Sequence, residues 1–346
     1  MDRIGRLDKL CNDHAASGKF GEVLLALETR AGDESYRFGE PARPFFIASA
    51  TKLFTSALLA RLRERGVVNW DEPFVRYLPG RDVLNLARVG AVDYTPQITV
   101  RQLLAHTSGL PDYFEGERKG GATTCARLLK HDLGWTSDDV IRWSRDEQRP
   151  SFVPGATGKA YYSDTNYQLL GAIIEHAYEA SFAEVVAGEI TAPLGLSNTW
   201  CFSPQTVARF DEVAAMRDGR SLPRIPLAMA SVGADGGVVS TLDDALRFLR
   251  GFFSGELFGA KLLEEMQERW RRIFFPLEYG TGIMRFQVPW FFSPFRRLPE
   301  VIGHSGASGA VMFYCPEREL FIAGTVNQLQ QRAAPFKLML RALSSW

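Results

Sequence analysis

Strand-forming segments lie near both ends of this chain and are almost missing from its middle, which constrains the fold more than any other feature. Residues 22–40 read EVLLALETRAGDESYRFGE, two apolar runs around a short turn at residues 31–33. Gly and Asp accept the dihedral angles of a tight turn, so we predict a β-hairpin here. Within residues 300–326, EVIGHSG, GAVMFYC and ELFIAGTV read as three further strands, followed by a final helix from about Ala333.

The middle of the chain has a different character. Between about residues 70 and 225, helical patterns alternate with loops rich in Gly, Pro and Asp. With 346 residues, the chain exceeds the usual size of a single domain. We therefore predict an α/β (α+β) fold with one sheet built from both termini and a mostly helical insertion. The expected domains are residues 1–70 with 226–346 for the sheet and residues 71–225 for the insertion.

Charge and composition exclude several classes of partner. The chain has 40 basic and 40 acidic residues, so no overall field favours nucleic acid or an anionic membrane. The first thirty residues are charged and no apolar run could span a bilayer, so we expect a cytoplasmic protein, or a periplasmic one if a signal peptide has been trimmed. The cysteines form no CxxC pair and the histidines no HExxH motif, so no metal or other cofactor is expected.

The segment FIASATKLF (46–54) places a lysine three residues after a serine, among apolar residues. A helix is predicted from about residue 50 until Gly66, with Ser49 at or just inside its first turn. Ser49 and Lys52 would then share one face and could form a hydrogen bond. A serine hydroxyl needs a neighbour to take its proton, and a buried amine with a lowered pKa can assist. A helix-capping serine and a solvated lysine are the alternative, and the spacing alone leaves both open.

Two further segments could carry chemistry. In KAYYSDTNYQLLG (159–171), a loop before a predicted helix could present the phenol of Tyr162 together with the carboxylate of Asp164. A loop tyrosine packed under a helix cap is the alternative. In GHSGASGA (303–310), small residues after a strand would let a ligand approach the strand edge, although a simple hairpin turn explains them equally well.

Taken together and in this order, the three segments resemble the serine β-lactamase and penicillin-binding-protein superfamily. The likeness is greatest to its class C β-lactamase-like branch, which includes carboxylesterases, D-Ala-D-Ala carboxypeptidases and D-aminopeptidases. It extends from about residue 20 to 330, because four other segments are similar too: DEPFVRYLPG (71–80), ITVRQLLAHTSGLPDY (98–113), PLGLSNTW (193–200) and GADGGVVSTLDDALRF (233–248). The resemblance implies an antiparallel sheet flanked by helices.

The resemblance also implies roles for individual residues. Ser49 matches the acylated nucleophile, Lys52 its hydrogen-bonded partner and Tyr162 the tyrosine that transfers the proton. Whether Lys52 or Tyr162 takes the serine proton is left open, and Tyr161 is a possible substitute for Tyr162 by its spacing from Ser163.

The segment His304, Ser305, Gly306 occupies the K-T-G position on the strand beside the cleft. The oxyanion hole would consist of the backbone N–H groups of Ser49 and Ala307. Losing one such donor typically costs about 3 kcal/mol of transition-state stabilisation.

Two positions depart from the family pattern. Asp164 replaces the more usual asparagine and could keep Lys52 charged, which would favour Tyr162 as the base. His304 replaces the K-T-G lysine and removes a fixed positive charge that could attract the carboxylate of a β-lactam or peptide. Both changes favour an esterase acting on neutral acyl substrates over a dedicated β-lactamase.

We therefore expect a serine hydrolase with an acyl-serine intermediate, a carboxylesterase for small or medium acyl groups with at most weak β-lactam hydrolysis. A D-amino-acid peptidase or carboxypeptidase, or a β-lactamase, is the first alternative. A non-hydrolytic acyl-binding receptor of the same fold is the second. The partner would be a small ester or amide; a homo-oligomer is possible but not indicated. An α/β-hydrolase is excluded because the G-x-S-x-G elbow is absent and the last histidine, His304, precedes Ser305 and Ser308.

Two more segments have structural alternatives. His106, in AHTSGL, is predicted to close a helix rather than to act as a base. The aromatic segment FQVPWFFSPF (286–295) could line an acyl pocket, or could pack on the body of the protein or against a second subunit.

Overall fold

The computed structural model describes residues 2–288 and 298–346. Its strands are β1 (Leu24–Thr29), β2 (Ser35–Phe38), β3 (Phe45–Phe46), β4 (Arg88–Val89), β5 (Val92–Asp93), β6 (Trp200–Cys201), β7 (Val238–Ser240), β8 (Arg271–Phe274), β9 (Leu277–Tyr279), β10 (Met284–Phe286), β11 (Val301–Ser305), β12 (Ala310–Cys315) and β13 (Leu320–Thr325). Its α-helices are α1 (Arg3–Ala15), α2 (Thr51–Glu64), α3 (Val100–Leu104), α4 (Thr124–Leu128), α5 (Ser137–Asp146), α6 (Asp164–Tyr178), α7 (Phe182–Val186), α8 (Ala192–Leu194), α9 (Pro226–Val232), α10 (Leu242–Ser254), α11 (Ala260–Met266) and α12 (Ala334–Ser345). Most of the aromatic segment predicted at 286–295 lies outside the described residues.

Eight of the described strands form one antiparallel sheet in the order β2-β1-β13-β12-β11-β10-β9-β8. The N-terminal strand β1 pairs directly with the C-terminal strand β13, with Leu24 opposite Thr325. The predicted hairpin is β1 with β2, and the three strands predicted within residues 300–326 are β11, β12 and β13. The prediction of a sheet built from both termini is therefore confirmed.

Helices cover both faces of this sheet. In β1, Leu25 and Leu27 pack into the hydrophobic cluster that includes α1 and α12, whereas Leu24 and Ala26 pack into the cluster that includes α2 and α10. Successive side chains of a strand point to opposite faces, so a strand covered on both sides must be apolar throughout. This explains why β1 reads as a continuous apolar run in the sequence.

Two parts of the fold were not predicted from the sequence. Helix α1 carries many charges, yet Leu7 and Cys11 on one face are fully buried against α12. Strands β8 to β10 are short, and β8 contains adjacent arginines, which obscure a strand pattern. None of the described helices is long and apolar enough to cross a membrane.

The region 71–225 is mostly helical and also carries the short strands β4 to β6. Strand β6 joins a small sheet with β3 and β7, which lie outside that region. The largest hydrophobic cluster likewise contains side chains from residues 71–225 and from the rest of the chain. The division into two domains stays a prediction.

Candidate active site

Ser49 lies in a single turn of 3-10 helix, Ala48–Ala50, between β3 and α2. Ala48 has a φ of +46°, in the left-handed region that residues with a Cβ rarely adopt. The N–H of Ile47 donates to the carbonyl of Val238 on β7 at 3.1 Å, which holds the start of this turn in place. Backbone strain of this kind often occurs where a fold must aim a functional side chain, and here it precedes Ser49 directly.

Lys52 is completely buried at the start of α2. Its Nζ lies 2.6 Å from Oδ1 of Asp164 and donates to the carbonyl oxygen of Asp235 at 2.7 Å. Burial alone would lower the pKa of Lys52, but the negative charge of Asp164 raises it above its ordinary value, with a smaller contribution from Asp235. The amine is therefore an ammonium group at neutral pH. This agrees with the expectation that Asp164 keeps Lys52 charged, and not with the lowered pKa considered from the serine–lysine spacing alone.

Tyr162 lies beside both the serine and the lysine. Both Ser49 and Lys52 act on its pKa, and Nζ of Lys52 lies 5.1 Å from the centre of the ring. Burial raises the pKa of Tyr162, and the positive charge of Lys52 lowers it only in part. The phenol is therefore neutral at neutral pH. A direct hydrogen bond between Ser49 and Lys52 stays a prediction.

His106 fixes the segment that carries Tyr162. Its backbone carbonyl accepts from the N–H of Tyr161 at 2.9 Å, and its Nδ1 accepts from the N–H of Ser163 at 3.2 Å. Its ring centre lies 4.4 Å from that of Tyr162. His106 follows the last turn of α3 with a φ of +55°, and its N–H donates to Leu103, as predicted for a histidine that closes a helix.

The turn between β11 and β12 brings Ala307 close to Ser49. The hydroxyl of Ser308 donates to the carbonyl of Phe46 at 2.7 Å. A Cβ on Gly306 would lie 2.1 Å from the carbonyl oxygen of Ile47, so only glycine permits this close approach. These contacts join the turn to the chain just before Ser49, where the proposed oxyanion hole requires it.

His304, in the K-T-G position, is fully buried. Its Nδ1 lies 2.6 Å from the carbonyl oxygen of Ser305, which can only accept, so Nδ1 carries the proton. Nε2 then accepts from the hydroxyl of Tyr279 at 3.0 Å. Burial, with the charge of Lys52, lowers the pKa of His304 to about 3, so the ring is uncharged at neutral pH. It therefore supplies no positive charge, whereas Ser305 and Gly306 line the cleft.

Two buried carboxyl groups near Lys52 were not predicted as site residues. Besides its carbonyl contact with Lys52, Asp235 accepts from the hydroxyl of Tyr113 at 2.9 Å and from Nε2 of Gln168 at 3.0 Å. Burial and the neighbouring Asp164 raise its pKa well above the ordinary value.

Asp112 accepts from the N–H of Asp164 at 3.0 Å, and burial with the charge of Asp164 raises its pKa to about 7. Both Asp112 and Asp235 lie in segments quoted for the family resemblance, but no residue spacing identified either as a neighbour of Lys52.

Two cavities meet at Ser49. The large cavity has a volume of about 340 Å³, and its wall includes the apolar side chains of Leu128, Leu129, Met216, Ile225 and Met229. The small cavity has a volume of about 170 Å³, and its wall includes Tyr162, Glu115, Phe274, Met284 and Ser305. Ser49, Asp164 and Ala307 line both cavities. Tyr162, rather than Tyr161, therefore lies at the cleft.

The chain is similar to known proteins in family, sequence and structure. The profile of the family described as Beta-lactamase matches residues 38–344. The D-alanyl-D-alanine-carboxypeptidase/endopeptidase AmpH of Escherichia coli (strain K12) is 27% identical over 285 residues, covering 78% of this chain and 66% of that protein. Esterase EstB of Burkholderia gladioli is 28% identical, covering 78% of this chain and 72% of that protein.

Among solved structures, the D-amino acid amidase of Ochrobactrum anthropi SV3 is similar over the full chain. It has a TM-score of 0.79 and 25% sequence identity, and the match covers 100% of this chain and 98% of that one. The hydrolase EstCE1, at 18% identity and a TM-score of 0.77, is similar in fold. The chain spans 66% of the length of AmpH and 55% of that of penicillin-binding protein 4* of Bacillus subtilis (strain 168).

Proposed function

The chain belongs to the beta-lactamase family and is a serine hydrolase of that fold, and from this premise we propose that it is a carboxylesterase. Its substrates would be neutral esters with a small or medium apolar acyl group. Ser49 is the proposed nucleophile, Tyr162 the group that moves the proton and Lys52 the charge that holds Tyr162. The N–H groups of Ser49 and Ala307 are the proposed oxyanion hole.

Acylation follows from the protonation states of these groups. Because Lys52 is charged and Tyr162 neutral, Tyr162 can accept the proton of Ser49 while it gives its own proton to the departing alcohol. The bond from Ser49 Oγ to the acyl carbon forms, and the bond from that carbon to the alcohol oxygen breaks. No step in this relay requires a free phenolate, whose formation the buried site opposes.

Hydrolysis of the acyl-enzyme reverses the direction of the relay. A water takes the place that the alcohol left and attacks the acyl carbon, and Tyr162 accepts the proton of this water while it returns its own to Ser49 Oγ. The ester bond to Ser49 then breaks and the carboxylic acid leaves. Lys52 stays protonated throughout, held by Asp164 and by the carbonyl of Asp235.

One observation favours neutral esters over substrates that carry a carboxylate. The large cavity beside Ser49 is apolar, and the basic groups near it are already paired or uncharged. Lys52 pairs with Asp164, Arg332 pairs with Glu115 at 2.5 Å, and His304 is uncharged and buried. A β-lactam or a peptide C-terminus would bring a carboxylate into this cleft, where no unpaired charge among these three groups would meet it.

A second candidate is a peptidase or amidase for D-amino acid derivatives. Such a substrate can carry a free ammonium group, and the carboxylate of Asp218 in the wall of the large cavity could bind it. The full-length similarity to a D-amino acid amidase supports this candidate.

The decisive experiment compares substrate classes on one preparation. Release of p-nitrophenol from acetate, butyrate and octanoate esters is measured beside nitrocefin, a D-Ala-D-Ala peptide and D-phenylalanine amide, with Ser49→Ala as control. We expect multiple turnovers on the esters and a loss of at least about a thousandfold in Ser49→Ala. Faster turnover of the amide would support the second candidate.

Intact-protein mass spectrometry completes this test. A stable adduct on Ser49 without turnover would indicate an acyl-binding receptor. Absence of any reaction that depends on Ser49 would refute the mechanism.

A further inference from the structure

The two cavities that meet at Ser49 differ in chemistry as well as in size. The large cavity is lined mainly by aliphatic and thioether side chains, and polar groups lie in its wall mainly beside Ser49 and at Asp218, Gln330 and Arg332. The small cavity carries more polar groups, among them Asp112 and Glu115. An ester has two substituents on its reacting centre, so each cavity can receive one of them.

The position of Tyr162 decides which substituent goes where. Its side chain lines the small cavity, whereas the large cavity near Ser49 is bounded by Asp235 and Gly236. The group that gives a proton to the departing oxygen must lie within hydrogen-bond reach of it. The alcohol oxygen must therefore lie on the side of the small cavity.

We infer that the acyl chain occupies the large cavity and that the alcohol leaves through the small cavity, so that Leu129 and Met229 set the length of acyl chain accepted. This inference rests on the proposed function and assigns an orientation to it. In this orientation the proton of Ser49 Oγ passes through Tyr162 to the alcohol oxygen as the acyl bond forms. The alcohol then departs past Phe274, and the acyl chain stays in the large cavity until water arrives.

The size of the large cavity indicates the substrate class. An apolar cavity of about 150 Å³ is enough to bind benzene. A cavity of about 340 Å³ therefore has room for a medium-length alkyl chain or an arylalkyl group. Met216 and Met229 in its wall are unbranched and flexible, which suits chains of more than one shape.

The reverse orientation is disfavoured by the chemistry of the walls. It would place the alcohol oxygen beside Asp235 and Gly236, away from the Tyr162 hydroxyl. It would also place an apolar chain beside the exposed ion pair of Glu115 and Arg332, whose charged groups would lose hydration without gaining a new partner.

The test uses substitutions that fill or widen the large cavity. The quantity measured is kcat/KM for p-nitrophenyl octanoate divided by kcat/KM for p-nitrophenyl acetate. Leu129 is only partly buried, so Leu129→Trp should fold, and its ring should take up part of the cavity. We expect the ratio to fall at least about tenfold. Met229→Ala widens the same cavity, and we expect the ratio for decanoate over octanoate to rise. Val67→Trp, at an exposed position outside both cavities, should keep the wild-type ratios.

A matched substitution addresses the small cavity. Phe274 is 56% exposed and lines that cavity, so Phe274→Ala should change the preference between p-nitrophenyl and bulkier 4-methylumbelliferyl esters. We expect it to leave the preference for acyl length as in the wild type. The inference is overturned if Leu129→Trp alters leaving-group preference instead of acyl preference, or if Phe274→Ala alters acyl preference.

The failure of this inference is distinguishable from the failure of the proposed function. If no ester is turned over but D-amino acid amides are, the same variants are measured on acyl p-nitroanilides, and the predicted orientation still applies. Turnover that depends on Ser49, with an unchanged acyl profile in both Leu129→Trp and Met229→Ala, would overturn the orientation alone.

Discussion

Asp164 is the residue whose chemistry most separates this site from the family pattern it resembles. Its carboxylate lies against the buried Nζ of Lys52 and raises the pKa of that amine. An asparagine would leave the amine with the desolvation penalty and with only the smaller contribution of Asp235 against it. Asp164 thus favours a charged lysine and a proton relay through Tyr162, the option left open by the sequence motif.

We predict that Asp164→Asn moves the alkaline limb of the pH profile of kcat/KM to lower pH by about one unit or more. Without the carboxylate, Lys52 loses its proton at a lower pH. The uncharged amine then no longer stabilises Tyr162 in its position for proton transfer. The measurement is kcat/KM for p-nitrophenyl butyrate over the alkaline range. Asp218→Asn, which removes a carboxylate from the wall of the large cavity, should leave the limb in place. An unmoved limb in Asp164→Asn would show that the rate does not depend on protonated Lys52.

His304 gives a prediction about stability. Its pKa in the folded protein is lowered to about 3 from an ordinary value of 6.5, so between these values the unfolded chain binds a proton that the folded protein does not. Its contribution to stability is therefore complete above pH 6.5 and is lost as the pH falls towards 3. From pH 7.5 to pH 5 the loss amounts to about 2 kcal/mol.

From pH 7.5 to pH 5, we expect His304→Gln to lose about 2 kcal/mol less stability than the wild type. The measurement is the free energy of unfolding in urea at both pH values. The difference between the two proteins cancels the other titrating groups. His176→Gln, at an exposed position on α6, should behave as the wild type. Equal losses in wild type and His304→Gln would contradict the assignment of a neutral, buried ring.

At the scale of elements, the turn between β11 and β12 matters most because it places Ala307 beside Ser49. Its fit depends on backbone approaching backbone, at Gly306 against Ile47, and on the hydrogen bond from Ser308 to Phe46. A small displacement of this turn would separate the two proposed oxyanion donors. Catalysis should therefore be more sensitive than folding to a substitution here.

We predict that Gly306→Ala lowers kcat about a hundredfold, because the added Cβ cannot fit 2.1 Å from the carbonyl oxygen of Ile47 and the turn must move. The loss of unfolding free energy should be about 1–3 kcal/mol. Both are measured on one preparation, by ester hydrolysis and urea unfolding. Gly188→Ala is the matched control, since a Cβ there meets no atom within 4 Å. A Gly306→Ala enzyme with wild-type kcat would exclude this turn from the oxyanion site.

At the scale of the whole molecule, the sheet and the helical region share a hydrophobic cluster. That cluster combines α2 and strands of the eight-stranded sheet with α3 and α6 from the region 71–225. The ion pair between Glu115 and Arg332 also joins the two regions beside the cleft, although such an exposed pair contributes little to stability. The predicted domains are therefore not expected to unfold one at a time.

We predict one cooperative transition in urea, with the same midpoint by far-ultraviolet circular dichroism and by tryptophan fluorescence. Trp135, Trp143 and Trp200 are three of the seven tryptophans and lie in the region 71–225, so unfolding of that region alone would change the fluorescence as a separate step. Two separated midpoints would indicate that the region 71–225 is an independent folding unit, as the division of the chain into two domains implies.

Local sequence pattern was enough to predict several strands of this protein and its family. Alternation and turn residues identified the hairpin of β1 and β2 and the strands β11 to β13, because strand and turn propensities act over a few residues. The Ser49 to Lys52 spacing and the order of the three motifs identified the family, which the family profile confirms.

The other features of the site depend on contacts between residues far apart in the chain. The contact of Lys52 with the carbonyl of Asp235 joins positions 183 residues apart, and that of Asp164 with Asp112 joins positions 52 apart. Charge states follow from burial and from such neighbours, so the sequence could not show that Lys52 is charged and His304 neutral. The same holds for the two cavities, because a cavity exists only where distant elements pack and leave space between them.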